Sequence, residues 1–138
     1  MSEHLARIRW QRDGAVFTDQ RYSRALASVS AGASAVDPEE AFVAAIASCH
    51  MLWFLSLAAA DGICVDAYDD QAVGVMRRVD GRLAIAEVIL RPRLTFGATP
   101  PSAQRVHELH EAAHDRCFIA NSVRCAIRVE PPADDTTD

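Results

Sequence analysis

Four cysteines are the residues of this chain whose type and setting could support chemistry. Cys49 lies midway along an apolar segment, and Cys117 follows 68 residues later within Ala113–Ser122, a separation that excludes a CxxC redox motif and a zinc knuckle. No secretory signal is visible, because Glu3 and His4 stand where an apolar segment would begin. We therefore expect a reducing, cytoplasmic location, in which cysteines serve chemistry or metal binding more often than structural disulfides.

A second pattern that could support chemistry is HExxH, formed by His110, Glu111 and His114 on a predicted helix. Histidines four residues apart share a helix face and could share a zinc ion, with the glutamate as base and His107 one turn earlier. The chain is short for a metallopeptidase, and no third ligand helix is evident. The favoured interpretation is an ordinary half-exposed helix face with no metal or cofactor, and a zinc hydrolase is the remote alternative.

The composition predicts a single globular domain over residues 1–138. The chain has 138 residues, half of them apolar and 24% charged, which allows a core and excludes wholesale disorder. Its net charge of −5 lacks the basic excess that a duplex-binding domain needs, so we expect no nucleic-acid partner. The acidic segment 131–138 is expected to be disordered.

The elements that must position these residues follow from local patterns, which predict an α+β fold in the order β-β-α-β-β-α-β. The predicted strands are Leu5–Trp10, Ala15–Tyr22, Val65–Arg78, Arg82–Phe96 and Ser122–Val129. The predicted helices are Pro38–Ala60 and a second that starts at Pro100–Ser102 and ends near Arg116.

The first helix is expected to be buried at the centre of the fold. Asp37, Pro38 and Glu40 form a capping-box start, and from Ala41 to Ala60 only two serines and His50 are polar. A helix that is apolar on all sides is either buried or membrane-spanning, and the cap without a basic flank favours burial and no membrane. Other residues expected in the core, or at a dimer interface, are Met51, Trp53, Phe54, Leu57, Cys64 and Cys125.

Three blocks of this sequence resemble the OsmC/Ohr family, named for osmotically inducible protein C and organic hydroperoxide resistance protein. One is Asp37–Glu40 at the start of the central helix, and another is a small-residue stretch ending in Ser48–Cys49. The third is Ala113–His114 followed by Cys117 and Asn121–Ser122. Their joint order and spacing carry the resemblance, which extends to the order of strands and helices over nearly the whole chain.

The resemblance implies a thiol-dependent peroxidase that reduces organic hydroperoxides or hydrogen peroxide. In such an enzyme Cys49 would be the peroxidatic cysteine, oxidised to a sulfenic acid, and Cys117 would resolve it as a disulfide. A dithiol reductant, lipoyl-type or other, would restore the thiols. The resemblance also implies an intertwined homodimer with two active sites at the interface.

A cysteine in apolar surroundings needs a nearby cation to ionise, and the family supplies an arginine held by the glutamate that matches Glu39. Ten helical residues rise by about 15 Å, so Glu39 is expected to reach the other subunit's site across antiparallel helices. The segment 25–36 contains no arginine, which leaves Arg24, Arg21 and Arg12 as candidates in falling order. This gap keeps open an alternative function, a small-molecule or partner binder with little peroxidase activity.

Overall fold

The computed structural model describes residues 2–12, 28–30 and 37–131, which form one sheet and two helices. In chain order the elements are β1 Ser2–Gln11, β2 Ser28–Ser30, α1 Pro38–Ala60, β3 Val65–Val79, β4 Arg82–Leu90, β5 Pro92–Phe96, α2 Ala103–Arg116, a 3-10 turn Ala120–Ser122 and β6 Ala126–Val129. The predicted α+β class is confirmed. The strand predicted at Ala15–Tyr22 and the acidic tail after Pro131 lie outside the described residues.

β3 is the central strand of the sheet, whose order is β2-β1-β3-β4-β6. Along one edge β3 pairs with β1, from Ser2 opposite Met76 to Gln11 opposite Ala67. Along its other edge it pairs first with β5 and then with β4. β6 runs parallel to β4, and the other described pairings are antiparallel. α1 packs on β1 and β3, and α2 packs on α1.

The single strand predicted at Arg82–Phe96 is two strands, β4 and β5, divided at Arg91. The backbone N–H of Arg91 donates to Oδ1 of the buried Asp70 at 2.7 Å, and so leaves the sheet ladder. Pro92 then begins β5 opposite Asp70, a position that suits a residue with no N–H because β5 is an edge strand. The break depends on a side chain of the neighbouring strand.

The last strand is shorter than the predicted Ser122–Val129, because Ser122 belongs to the 3-10 turn. Its N–H donates to the Ile119 carbonyl and its hydroxyl donates to the Phe118 carbonyl, so the chain is still turning there. The predicted alternation of apolar and mostly polar residues matches the observed alternation of half-buried and exposed side chains. The half-buried residues are Val123, Cys125, Ile127 and Val129, and the exposed ones are Arg124, Ala126 and Arg128.

α1 begins at the predicted capping box and ends at the predicted turn. Oδ1 of Asp37 accepts from the Glu40 N–H at 2.7 Å, and the Glu40 carboxylate accepts from the Asp37 N–H at 3.0 Å. Gly62 follows the helix with φ of 73°, a left-handed conformation that glycine adopts without strain. At Gly74 of β3 the helix lies so close that an added Cβ would be 2.6 Å from Cγ2 of Val43.

One face of α1 is buried within the chain, and the opposite stripe is only partly covered. The buried face comprises Val43, Ala44, Ile46, Ala47, His50, Met51, Phe54, Leu55 and Ala58. The stripe, which we call the outer stripe, comprises Phe42, Ala45, Cys49, Leu52, Trp53 and Ser56. By length and composition alone α1 could cross a membrane, but half of its most apolar window is buried in the fold, and core helices pass the same test.

Candidate functional site

The fold brings Cys49 and Cys117 together. Cys49 lies in the middle of α1 on the outer stripe and is half-buried. Cys117 is the residue that ends α2, and only 1% of its surface is exposed. The two side chains are close enough to interact with one another, and both cysteines are free thiols. The pair that the resemblance implies is therefore one site, at the contact between the two helices.

Burial raises the pKa of the Cys117 thiol to about 11, and its hydrogen bond with Cys49 adds to the rise. The N–H of Ala120, 3.4 Å from the sulfur, opposes these effects by stabilising the thiolate. At neutral pH the balance leaves Cys117 protonated. Cys117 is therefore a thiol beside Cys49 and not a thiolate.

The turn after α2 holds Cys117 in place, and Asn121 and Ser122 build that turn. The Asn121 side-chain amide donates to the Asp115 carbonyl at 3.1 Å, and its backbone N–H donates to the Cys117 carbonyl at 3.0 Å. The Ser122 hydroxyl donates to the Phe118 carbonyl at 2.8 Å. Asn121 and Ser122, from the third block that carries the family resemblance, thus stabilise the backbone conformation around Cys117.

Aromatic side chains lie beside the two cysteines. Trp53, one turn after Cys49, meets Phe118 edge to face with 5.6 Å between the ring centroids. Phe118 follows Cys117 directly, and 70% of its surface is exposed. The guanidinium of Arg116 lies 5.9 Å from the Trp53 ring centroid. Arg116 was not among the residues predicted for the site, although it directly precedes Cys117 in the sequence.

His110 of the HExxH pattern is buried and bonded to His50, whereas Glu111 and His114 are exposed, so the pattern lies on a half-exposed helix face with one buried histidine. His50 Nε2 lies 2.9 Å from His110 Nδ1, and the two ring planes are nearly parallel. Desolvation, the main cause, lowers the pKa of His50 to about 3 and that of His110 to about 4. His107 instead pairs with Glu111 on the exposed face at 3.4 Å. In the described segments no group of three metal-ligating side chains includes this pattern.

Glu39 lies in the first turn of α1, in a group that could hold a metal ion. Ligand atoms of His4, Asp37 and Glu39 lie within 4.8 Å of one another. α1 is continuous from Pro38 to Ala60, so a rise of about 15 Å separates Glu39 from Cys49 within one chain. The structure does not bring these two residues together in one protomer.

Of the three candidate arginines, Arg24 and Arg21 lie outside the described residues. Arg12 forms an ion pair with Asp66, whose Oδ1 also lies 4.0 Å from the Cys64 sulfur. Cys64 is therefore half-buried beside a carboxylate rather than in the apolar core, because it precedes β3 in the turn after α1. Cys125 packs against the core as expected.

Comparisons with known proteins agree with this arrangement. A sequence profile described as OsmC-like protein matches residues 31–131, which include both cysteines of the site. No curated protein matches the chain. A solved OsmC-like protein of unknown function from Vibrio cholerae is 38% identical, with a TM-score of 0.69 over 96% of this chain and 100% of that one.

Two more distant structures share less with the chain. An OsmC-like protein from Mycoplasma pneumoniae is 15% identical, with a TM-score of 0.59 over 83% of this chain and 92% of that one, and shows the same fold. An OsmC-like hydroperoxide resistance protein from Jannaschia sp. is 17% identical over 88% of this chain and 87% of that one. Its TM-score of 0.46 is too low to carry an argument.

Proposed function

Because this chain belongs to the OsmC-like family, we propose that it is a thiol peroxidase that reduces organic hydroperoxides through Cys49 and Cys117. Some members of the family are peroxidases. The observation that carries the proposal is the contact between two thiols that are 68 residues apart in the sequence. A peroxidase of this kind needs one thiol to be oxidised and a second within reach to resolve it.

The reaction has two steps at the cysteine pair. The Cys49 thiolate attacks the terminal peroxide oxygen, so that an S–O bond forms and the O–O bond breaks. The sulfur becomes a sulfenic acid, and the leaving alkoxide takes up a proton from water to become the alcohol. The Cys117 sulfur then attacks the Cys49 sulfenic acid, the S–S bond forms, and the hydroxyl leaves as water with the Cys117 proton. A dithiol reductant restores both thiols by exchange and itself becomes a disulfide.

The environments of the two thiols support this assignment of roles. Cys117 is buried and protonated at neutral pH, which makes it a poor first nucleophile. Cys49 is more exposed than Cys117, so it is the thiol that a peroxide reaches. After oxidation of Cys49, Cys117 is already in contact with the sulfur that it must attack.

The surroundings of the pair support an organic substrate. Trp53 and Phe118 present aromatic surface next to the cysteines, and Phe118 is mostly exposed. An apolar substituent on a hydroperoxide would be removed from water by such a surface. Hydrogen peroxide has no such group, and we expect it to be the poorer substrate.

The outer stripe of α1 supports a homodimer. It leaves large apolar residues such as Phe42, Leu52 and Trp53 partly exposed, although they lie on the longest helix of the fold. A second copy would cover them, and obligate interfaces are apolar in this way. In the proposed dimer Glu39 of one subunit reaches the Cys49 site of the other, where it orients Arg24.

Four free cysteines support a reducing compartment, and we place the enzyme in the cytoplasm.

The proposal is tested by peroxide consumption with an excess of dithiol. Purified wild-type protein should consume an aryl hydroperoxide faster than hydrogen peroxide. Cys49→Ser should reduce turnover to the uncatalysed background, because the hydroxyl cannot accept the peroxide oxygen. Cys125→Ser changes a half-buried cysteine outside the Cys49–Cys117 pair and serves as the matched control, with turnover within about twofold of wild type.

Turnover that persists in Cys49→Ser would overturn the assignment of the peroxidatic thiol. Wild-type protein that is folded but consumes no hydroperoxide would favour the binder without peroxidase activity. Light scattering of the same samples measures the mass, and a folded monomer at micromolar concentration would contradict the proposed dimer.

A further inference from the structure

A buried hydrogen bond between two histidines joins the helices that carry the cysteines. His50 directly follows Cys49 on α1, and His110 lies two turns before Cys117 on α2. The two ring nitrogens are 2.9 Å apart, and the two ring planes are nearly parallel, with 9° between them. Only 1% of His50 and 4% of His110 is exposed. The bond is therefore part of the helix contact and not of the surface.

This pair is a polar group in an otherwise apolar contact. The Phe54 ring lies 4.4 Å from the His110 ring, between centroids, and His110 Nε2 is buried with no hydrogen-bond partner. Burying such groups costs free energy that two apolar side chains would not cost. The hydrogen bond fixes the relative position of the two helices, because its strength falls steeply when its angle or length changes. Apolar contacts alone would allow one helix to shift along the other.

We propose that the His50–His110 hydrogen bond positions Cys49 and Cys117 for disulfide formation by fixing how α2 sits along and around α1. This proposal rests on the proposed function, since it assigns a role in the resolving step. A disulfide requires Cα atoms within about 7 Å and a narrow range of side-chain angles. A displacement of about 1 Å can slow a reaction of positioned groups by roughly a hundredfold.

Both histidines act as positioning residues, not as catalytic residues, because the bond that they form is to one another. They leave the attack of Cys49 on the peroxide unchanged, since neither histidine is among the groups assigned to that step. They act on the second step, in which the S–S bond forms, the S–O bond breaks and water leaves. Measuring the rates of the two steps separately therefore distinguishes a positioning role, which slows only the second step, from a general loss of activity, which slows both.

The main variant is His50→Leu/His110→Phe, which removes both polar groups and leaves no unpaired partner. Replacing a buried polar pair by apolar residues of similar size is often neutral or stabilising, so this protein should fold. His110→Asn is the conservative variant, because an asparagine amide can occupy the place of the ring Nδ1. His107→Asn, on the exposed face of the same helix, is the matched control.

The first measurement is the equilibrium between the reduced protein with oxidised glutathione and the disulfide form with two reduced glutathione molecules. It reports the effective concentration of the two thiols and needs no peroxidase activity. We expect the double variant to show at least about a tenfold lower effective concentration than wild type. His110→Asn should recover most of this loss, and His107→Asn should match wild type. Thermal unfolding of each protein records its stability alongside.

The second measurement is rapid-quench alkylation and mass analysis after one equivalent of aryl hydroperoxide. In the double variant Cys49 should be oxidised at a rate within about twofold of wild type, while the disulfide forms at least about tenfold more slowly. Cys49 sulfenic acid should therefore accumulate. If the double variant is unfolded, the same two measurements are made on His50→Leu alone, which breaks the bond from the other helix.

A folded variant without the histidine bond that forms the disulfide as readily as wild type would overturn the positioning role. If instead wild type consumes no peroxide but the glutathione equilibrium still shifts in the variant, the peroxidase proposal fails and the positioning role stands. A loss of stability with an unchanged effective concentration would show that the pair is merely structural, and would also overturn the proposal.

Discussion

The buried carboxyl of Asp70 should make the protein less stable as the pH rises, and Asp70→Asn should remove that dependence. Asp70 is completely buried in β3, and its Oδ1 accepts the N–H of Arg91 at the break between β4 and β5. Its Oδ2 has no hydrogen-bond partner. Asparagine has the same shape and keeps a carbonyl oxygen for the Arg91 N–H, so the substitution removes a titrating group and little else.

Burial, the largest cause, raises the pKa of Asp70 from 3.8 to about 7, and the charge of Asp69 adds to it. The Arg91 N–H and charge act in the opposite direction. A carboxyl whose pKa is higher in the folded state binds protons there that the unfolded chain has already lost. Its contribution to stability is therefore fully present below pH 3.8 and is lost as the pH rises through 7. At 1.36 kcal/mol for each pKa unit, the total loss is about 4 kcal/mol, of which roughly 2.5 kcal/mol falls between pH 5 and pH 8.

Urea unfolding of wild type and Asp70→Asn at several pH values, at one protein concentration, measures this loss. The difference in unfolding free energy, variant minus wild type, should increase by about 2.5 kcal/mol from pH 5 to pH 8. His50 and His110 have lowered pKa values and destabilise the fold on acidification, but they do so in both proteins and cancel in the difference. Asp80→Asn, in an exposed turn, is the matched control and should run parallel to wild type. Parallel curves for Asp70→Asn would refute the reasoning.

Two further predictions concern the site and the core. Cys117→Ala should leave Cys49 able to react once with a hydroperoxide but unable to form the disulfide. Mass analysis should therefore find one added oxygen on Cys49. Rapid formation of a disulfide between Cys49 and Cys64 instead would contradict the pairing of Cys49 with Cys117. Gly74→Ala should lower the unfolding free energy by about 1–3 kcal/mol, because the new Cβ would lie 2.6 Å from Cγ2 of Val43. Urea titration measures this unfolding free energy. The double variant Gly74→Ala/Val43→Ala should lose less unfolding free energy than the sum of the losses of the two single variants, because the shorter side chain makes room for the new Cβ. Losses that simply add would argue against the close contact.

The parts of the fold that were predictable from the sequence are those fixed by neighbouring residues. The capping box of Asp37 and Glu40 and the turn at Gly62 define α1 at the predicted ends, because each signal acts within a few residues. The break at Arg91 was not predictable in this way. It depends on the Asp70 side chain, 21 residues earlier in the sequence, which competes for a backbone N–H of the next strand.

In the candidate site, too, contacts between residues that are distant in the sequence were not predictable from local patterns. The pairing of Cys49 with Cys117 followed from a family resemblance and not from their spacing, which carries no information on distance. The His50–His110 bond joins residues 60 apart and was missed. One signal was present, since His110 is next to Leu109 and three residues before Ala113, both buried, and so shares the inner face of α2.

The central place of β3 has a consequence for the order in which the protein can fold during synthesis. β1 pairs with β3 over its whole length, and the paired residues are 56 to 74 positions apart. A ribosome must therefore complete α1 and most of β3 before β1 gains its long partner strand, and until then only the three-residue β2 can pair with it. Ile8 and Trp10, which are buried in the finished fold, lack their β3 neighbours while some 60 residues are added. Chains stalled beyond Val79 are the first in which β1 and β3 can pair over their full contact.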